Sequence, residues 1–237
     1  RFSVGFGDGI YKSTEGGRTF TNMGLKESHH IDRVVTHPTN QDVVYVASQG
    51  HLWDVGGDQG VFRTRDGGRT WQKLTNGLPN DGRTGASELV MDPSNPNILY
   101  AGFWERLREP NRFTSGGPNG GIYKSTDGGD SWTKLTNGLP TGATGKIGMD
   151  IYRKNPRILV AQVEHGFQPA RNSADFNDMS KLGSGIYRSE DGGASWTFVN
   201  RENNRPFYYS HVYIDPNNDQ RIYVPRWYRG RLPRPLD

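Results

Sequence analysis

The amino-acid sequence predicts an all-β fold built from four repeated units of four antiparallel strands. Gly (32) and Pro (14) are abundant among the 237 residues, as expected for many short strands joined by tight turns. No segment shows sustained helical periodicity, and no apolar run approaches the roughly 20 residues of a membrane span. A turn motif recurs at intervals of 51, 61 and 64 residues, which is a spacing typical of propeller blades. The predicted architecture is therefore a β-propeller of four blade-equivalents.

The repeated turn is an eight-residue motif, and its best preserved copy is Ser125-Thr126-Asp127-Gly128-Gly129-Asp130-Ser131-Trp132. Each copy joins two runs in which apolar and polar residues alternate, as they do along a β-strand. The motif is therefore predicted to be a β-hairpin turn in which glycine adopts positive φ. The carboxylate and the hydroxyl can accept hydrogen bonds from turn amides, and the final aromatic ring can return to the apolar layer. We therefore assign structural roles to the acidic and aromatic positions of the four copies, which are Glu15, Asp66, Asp127, Asp191, Phe20, Trp71, Trp132 and Trp196.

This pattern, Ser-x-Asp-x-Gly-x-Thr/Ser-Trp, resembles the Asp-box, or bacterial neuraminidase (BNR) repeat, of sialidase-like, sortilin-like and xyloglucanase-like propellers. Segments 113–118 and 205–210 look like those of bacterial exported proteins labelled as BNR-repeat glycosyl hydrolases. The resemblance covers residues 1 to about 224. It implies a propeller fold and a secreted or cell-envelope location, periplasmic or extracellular. The Arg-Ile-Pro segment of sialidases is absent from the sequence, which argues against sialidase activity.

A second pair of strands recurs between the Asp-boxes. With this pair named A and B, and the Asp-box hairpin named C and D, the predicted order is CD, ABCD, ABCD, ABCD, AB. This propeller domain spans residues 1–224, and residues 225–237 form an irregular tail rich in Arg and Pro. The sequence leaves open a closed small ring, part of a larger propeller, or a ring completed by a second copy. Open blade edges must be covered, so a homo-oligomer is one expected partner state.

Composition and charge exclude several classes of function. The 29 basic and 25 acidic residues give a net charge of +4, and five Arg lie in the last 17 residues, so a basic nucleic-acid-binding face is not expected. The absence of cysteine excludes disulfides and thiolate chemistry. His29, His30 and His51 lack metal-ligand spacing with a nearby partner, so we expect no metal. We also expect no cofactor and no membrane insertion.

The candidate ligand-binding face is the rim that carries the long loops. A–B and C–D turns share one rim, whereas the B–C and D–A connections share the other, and the longest of these are 48–60, 102–121 and 163–185. Long loops within a compact domain tend to be functional. Aromatic rings suit stacking against sugars, and guanidinium groups suit polar recognition. The ligand-binding candidates on this rim are Trp53, Trp104, Arg106, Arg171, Tyr208, Tyr209 and His211.

Three functions are consistent with this rim. The first is a module that binds carbohydrate or peptide ligands. The second is a glycoside hydrolase, because Glu105 and Glu164 follow strand B at equivalent positions and glycosidases use two carboxylates. In that case Arg106 and Arg171 would orient the substrate, and Glu88 is a third carboxylate candidate. The third is a structural segment of a larger propeller protein.

Overall fold

The computed structural model describes residues 5–203 and 206–225. Within these ranges the chain forms seventeen β-strands, and all strand pairs are antiparallel. The helical segments are a 3-10 turn at Lys26–Ser28, α1 (Ala174–Asn177) and α2 (Pro206–Tyr209). No helix in the described ranges has the length and apolar character to cross a membrane.

Three complete sheets lie between two hairpins. The hairpins are β1 (Tyr11–Lys12) with β2 (Thr21–Asn22), and β16 (Tyr213–Asp215) with β17 (Asn218–Tyr223). The first complete sheet consists of β3 (Ile31–Thr36), β4 (Val44–Ser48), β5 (Gly60–Thr64) and β6 (Gln72–Leu74). The second consists of β7 (Thr84–Met91), β8 (Leu99–Glu109), β9 (Arg112–Ser115), β10 (Gly121–Ser125) and β11 (Thr133–Lys134). The third consists of β12 (Thr144–Ile151), β13 (Leu159–His165), β14 (Gly185–Ser189) and β15 (Thr197–Asn200).

The predicted strand order and the all-β propeller class are confirmed, with one addition. Strand β8 continues beyond its sheet and returns as β9, in a hairpin where Glu109 pairs with Arg112. The predicted long B–C loop over 102–121 is therefore wrong for most of its length, because residues 102–109 and 112–115 are strand. Alternating side chains continue on both sides of the Pro110-Asn111 turn, so this segment has the pattern of a hairpin.

Apolar layers lie between successive sheets. Trp132, at the Asp-box of the second sheet, belongs to one cluster with Leu74 and Leu78 of the preceding unit. Trp196, at the Asp-box of the third sheet, belongs to the equivalent cluster with Leu139. Both indole rings are 5% exposed, and burying each contributes about 2–3 kcal/mol. The inter-sheet layers therefore hold the blades together.

The Asp-boxes have the predicted hydrogen bonding. Asp127 accepts the backbone N–H of Ser131 at 2.9 Å and its hydroxyl at 2.5 Å, and Ser125 donates to the same carboxylate at 2.7 Å. The copies at Asp66 and Asp191 repeat this arrangement. The Gly128 amide donates to Asn97 in the adjacent A–B turn, so the two kinds of turn share one rim as predicted.

The first Asp-box departs from this prediction at its aromatic position. Glu15 still accepts a hydrogen bond from Thr19 Oγ1 at 3.1 Å, and Ser13 Oγ accepts the Gly17 amide at 2.8 Å. Phe20, however, is 62% exposed. The aromatic residue of an Asp-box packs on the preceding sheet, and no described residues form such a sheet before β1.

A repeated latch joins neighbouring units. The sequence Thr-Asn-Gly-Leu-Pro follows both β6 and β11. The backbone carbonyl of its asparagine accepts a hydrogen bond from the backbone N–H of the tryptophan in the next Asp-box. Trp132 N–H donates to Asn76 O, and Trp196 N–H donates to Asn137 O, both at 3.0 Å. The following glycine approaches so closely that a Cβ on Gly138 would lie 1.8 Å from Trp196 O. These contacts fix the spacing between sheets on the Asp-box rim.

The described ends of the chain do not pair with each other. Strand β1 pairs with β2 and strand β17 with β16, and no described pairing joins the two hairpins into a fourth complete sheet. The predicted tail falls almost entirely outside the described ranges, because residues 226–237 are not described.

Candidate functional site on the long-loop rim

The first strand of each complete sheet contributes one residue to an equivalent position, and two of these three residues are charged. Arg33, Glu88 and Gly148 occupy the same register on β3, β7 and β12, opposite the middle strand of each sheet. Arg33 and Glu88 form a two-pronged ion pair, with Nε to Oε1 at 2.5 Å and Nη2 to Oε2 at 3.1 Å. His211 Nδ1 lies 3.5 Å from Arg33 Nη2. Burial raises the pKa of Glu88, which the hydrogen bonds from Arg33 oppose, and burial also lowers the pKa of His211.

A cavity of about 240 Å³ opens beside these strands on the long-loop rim. It lies between the start of β3, the loop after β4, the extended β8–β9 hairpin, the start of β12, and α2. The residues that line it are His30, Asp32, Gln49, Leu52, Trp104, Arg106, Arg108, Phe113, Lys146, Phe207 and Tyr208. Three of the predicted ligand-binding residues, Trp104, Arg106 and Tyr208, therefore meet at one cavity.

Trp104 is the central ring of this cavity. Its indole N–H donates to Ser115 Oγ at 3.0 Å, and the residue is only 4% exposed. The Arg106 guanidinium lies 5.3 Å from the ring centroid, and the Lys146 ammonium lies 5.6 Å from it. Both distances are within the range of cation–π attraction. Trp104 therefore holds two cations at the cavity and does not present an open face for sugar stacking.

Neither cation has a carboxylate partner within ion-pair distance in the described part of the chain. Arg106 Nη2 lies 3.4 Å from His30 Nδ1, and Arg106 Nε is buried without a described hydrogen-bond partner. Burial lowers the pKa of Arg106 to about 10, and Asp32 opposes that effect only in part. Burial also lowers the pKa of His30, whose Nδ1 lies 3.0 Å from Gly50 O, so this imidazole is neutral at pH 7.

Of the remaining aromatic candidates, Tyr208 lines the cavity and Trp53 lies next to a lining residue, Arg108. Tyr208 is 48% exposed, and its ring centroid is 4.4 Å from that of Phe207. Trp53 is 44% exposed, and the Arg108 guanidinium lies 6.0 Å from its ring. The side chain of Tyr209 is outside the described part. The cavity and its surroundings therefore present partly open rings beside charged groups.

The predicted substrate-orienting Arg171 lies elsewhere. Its guanidinium pairs with Glu202 at 3.2 Å and lies 5.7 Å from the Phe176 ring, and it does not line the cavity. Its location is governed by the loop between β13 and β14, whose course the sequence pattern does not determine.

The two candidate catalytic carboxylates are not at equivalent positions as predicted, because Glu164 shares its register with Trp104 and not with Glu105. Their environments also differ. Glu164 is 7% exposed, and its Oε2 accepts the Ser115 hydroxyl and the Lys146 amide, both at 2.8 Å; burial raises its pKa. Glu105 lies between Trp104 and Arg106 on β8, so strand alternation directs it away from them, toward Gly117. Neither carboxylate is among the described residues that line the cavity.

Sequence reasoning missed several lining residues, notably Asp32, Gln49 and Lys146. The Gln49 side-chain amide donates to the Asp32 carboxylate. Lys146 is 8% exposed near the start of β12, where the other residues from Gly145 to Met149 are apolar or glycine. Because lysine is rarely buried without a partner, a lysine within such an apolar strand could have been recognised from the sequence as a candidate site residue.

Comparison with known proteins agrees with this architecture. The family model described as Sortilin-Vps10 (Sortilin, neurotensin receptor 3) matches residues 8–177. A xyloglucanase of Paenibacillus sp is 29% identical over 183 residues, covering 71% of this chain and 16% of that protein. A xyloglucanase of Hypocrea jecorina (strain QM6a) is 32% identical over 120 residues, covering 47% of this chain and 12% of that protein.

Solved structures support the same fold. The crystal structure of the GH74 enzyme of Niastella koreensis matches with a TM-score of 0.63 at 20% identity, covering 92% of this chain and 32% of that one. The chain thus spans less than one third of the length of each of these relatives. The match over residues 8–177 and the repeated Asp-boxes lead to one conclusion. The chain belongs to the Sortilin-Vps10 family, and it is an Asp-box β-propeller segment related to xyloglucanases.

Proposed function

We propose that the cavity on the long-loop rim binds a peptide that carries a carboxylate, either an acidic side chain or a C-terminus. The observation that carries this proposal is the pair of cations, Arg106 and Lys146, which lie against Trp104 without a described carboxylate within ion-pair distance. The sequence predicted a module that binds carbohydrate or peptide, and this proposal is the second of those two alternatives.

The energetic argument concerns the cost of burying charge. Removing an ion from water costs several kcal/mol unless another charge and hydrogen bonds compensate. Lys146 is 8% exposed, and burial lowers the pKa of Arg106. Asp32 acts on Arg106 and Glu164 acts on Lys146 electrostatically, but neither carboxylate is described within ion-pair distance, and a ligand carboxylate between the two cations would supply that pair. One buried and one partly buried cation that line a cavity without a described ion pair are therefore expected where an anion binds.

The charge of the lining favours an anionic ligand over a neutral glycan. Arg106, Arg108 and Lys146 face a single lining carboxylate, Asp32, and His30 is neutral at pH 7. The Trp104 ring is already in contact with two cations, which leaves less apolar surface for a sugar. Asp32 and Gln49 offer side-chain oxygens that can accept peptide N–H groups. The family description, which names a neurotensin receptor, is consistent with a peptide ligand.

The test compares two forms of the same ligand. Fluorescence anisotropy is measured with a panel of short acidic peptides, each made with a free and with an amidated C-terminus. We expect a subset to bind, with affinity that falls at high salt because the interaction is between charges. Arg106→Met and Lys146→Met should each weaken binding by about 10-fold or more.

Arg171→Met is the matched control, because Arg171 lies on the same rim but outside the cavity and pairs with Glu202. It should bind as the wild type does. Equal loss in all three variants, or binding only of a neutral xyloglucan oligosaccharide, would contradict the peptide proposal.

Glycoside hydrolysis is the second candidate, and the names of the xyloglucanase relatives favour it. Glu164 has one property of a general acid, because burial raises its pKa. The assay is release of reducing ends from xyloglucan by the wild type, Glu105→Gln and Glu164→Gln. Loss in both variants supports the pair as acid and nucleophile or base, whereas wild-type activity in both removes them from that role.

The third candidate, a structural segment that joins a larger assembly, follows from the exposed hairpins at both ends of the described chain. We propose self-association through these edges, in a secreted or envelope protein. Light scattering across a range of concentrations tests it, and a monomer at all concentrations would exclude pairing between copies.

A further inference from the structure

A cluster of metal-ligating side chains lies on the long-loop rim, near the cavity but separate from its two cations. Glu27 is in the 3-10 turn before β3, His29 follows that turn, and His51 is in the loop between β4 and β5. One ligand atom from each of the three residues lies within 4.8 Å of the others. The sequence separation between His29 and His51 had argued against this grouping, and folding of the two loops against each other creates it.

The electrostatics of His51 favour an added cation. Asp54 Oδ1 lies 2.8 Å from His51 Nδ1, and Glu27 Oε2 lies 3.5 Å from Nε2. With a carboxylate this close to Nδ1, the proton of a neutral ring is stabilised there, which leaves the Nε2 lone pair facing Glu27. A lone pair and a carboxylate that face each other repel unless a positive species lies between them.

The nitrogens of the two rings lack other described partners. The Nε2 of His51 and the Nδ1 of His29 are buried atoms without a described hydrogen bond, whereas Nδ1 of His51 faces Asp54. The rings are stacked, with centroids 3.9 Å apart and planes 14° apart. Buried polar atoms without partners are rare in folded proteins and call for an explanation.

The backbone around the cluster is constrained to bring these groups together. His29 has φ of 51°, and it and Leu25 are the two non-glycine residues of the described chain with positive φ. Such strain persists where surrounding contacts hold it, and the Gly7 amide bonds His29 O at 2.9 Å. A Cβ on Gly57 would lie 2.4 Å from Glu27 O and 2.7 Å from His51 Nε2, so glycine permits the close approach.

We propose that Glu27, His29 and His51 form a binding site for a divalent transition-metal ion, with Zn²⁺ as the best match. Two imidazoles and one carboxylate are a common Zn²⁺ ligand set that leaves a fourth position open, with bonds of about 2.0–2.2 Å. Ligation requires the His29 ring to turn out of its stack on His51. Asp54 serves as the outer carboxylate that orients the His51 ring.

Isothermal titration of ZnCl₂ into the tag-free, chelator-treated 237-residue chain tests the site. We expect one ion per chain, and Co²⁺ in its place should give the visible absorption of a low-coordinate site. His51→Gln, Glu27→Gln and His29→Asn should each weaken zinc binding by about 10-fold or more, and Asp54→Asn by about 10–100-fold. Asparagine is chosen at position 29 because it tolerates positive φ.

His37→Gln is the matched control, because His37 lies on an A–B turn at the opposite rim and should not affect zinc binding. The Glu27 side chain is 69% exposed, so Glu27→Gln should keep the fold. This variant therefore still tests the site if a histidine variant does not fold. The proposal is overturned if the wild type does not bind zinc. It is also overturned if the two single variants, Glu27→Gln and His51→Gln, both bind zinc with wild-type affinity.

Discussion

Arg33 and Glu88 occupy equivalent positions on the innermost strands of adjacent sheets and face each other across the blade interface, joined by contacts of 2.5 and 3.1 Å. Glu88 is 1% exposed, whereas the Arg33 side chain retains 33% exposure. The pair therefore links the first strands of two adjacent propeller units.

Removal of one member of this pair should destabilise the protein in a pH-dependent manner. Arg33→Met leaves Glu88 buried without its cation, and breaking a buried pair costs about 3–5 kcal/mol. Because burial already raises the pKa of Glu88, the variant should be more stable at pH 5, where the carboxyl takes up a proton, than at pH 7. Urea unfolding at the two pH values measures this effect. Arg33→Met/Glu88→Gln should lose most of the pH dependence, and an unchanged dependence would contradict the assignment.

The latch between sheets predicts a large difference between two similar glycine substitutions. Gly138 has φ of +77°, and a Cβ there would lie 1.8 Å from Trp196 O, whereas Gly82 has φ of +74° and nothing within 4 Å. Gly82→Ala should cost about 1–2 kcal/mol from backbone strain alone. Gly138→Ala should cost at least about 2 kcal/mol more, because the inter-sheet contact must open. Equal unfolding free energies would show that the latch contributes little.

The Asp-boxes predict loss of stability in acid. The hydrogen bond from the Ser195 hydroxyl is the main cause that lowers the pKa of Asp191 to about 2, and the pKa values of Asp66 and Asp127 are also lowered. A carboxyl whose pKa is lower in the folded state stabilises the fold above about pH 4 and loses that contribution as pH falls toward 2. Unfolding midpoints between pH 2 and 7 should follow this course. Asp191→Asn should show a shallower decline below pH 4, and an identical decline would contradict the prediction.

The proposed anion site predicts that stability and binding change in opposite directions. Arg106→Met removes a partly buried cation that has no described ion pair and whose pKa burial lowers to about 10. Its cation–π contact with Trp104 is worth about 0.5–1 kcal/mol, less than the cost of burying an unpaired charge. The variant should therefore be at least as stable as the wild type in thermal unfolding, while peptide binding is lost. A variant that both unfolds earlier and binds normally would assign Arg106 a structural role.

The sequence by itself determined the class of fold, the order of the strands and the role of the Asp-boxes. It could do so because these features depend on local chemistry: the Asp127 box closes through hydrogen bonds between residues two and four positions apart. It also placed the long connections on one rim, because an antiparallel sheet alternates the ends of its strands. Trp104 and Arg106 were identified for the same reason, since both follow the apolar run 98–101 toward that rim, although the structure includes both in β8.

Only the tertiary structure decided which rim residues meet. Arg33 and His211 approach each other across 178 positions of sequence, and Arg106 lies at the cavity while Arg171 does not. Such contacts depend on the course of long loops and on the angle between sheets, and neither leaves a periodic signal in the sequence. The same reason explains why His29 and His51 looked unsuited to a metal and yet stack at 3.9 Å. Short-range hydrogen bonds determine the blades, whereas long-range packing of the connections between them determines the site.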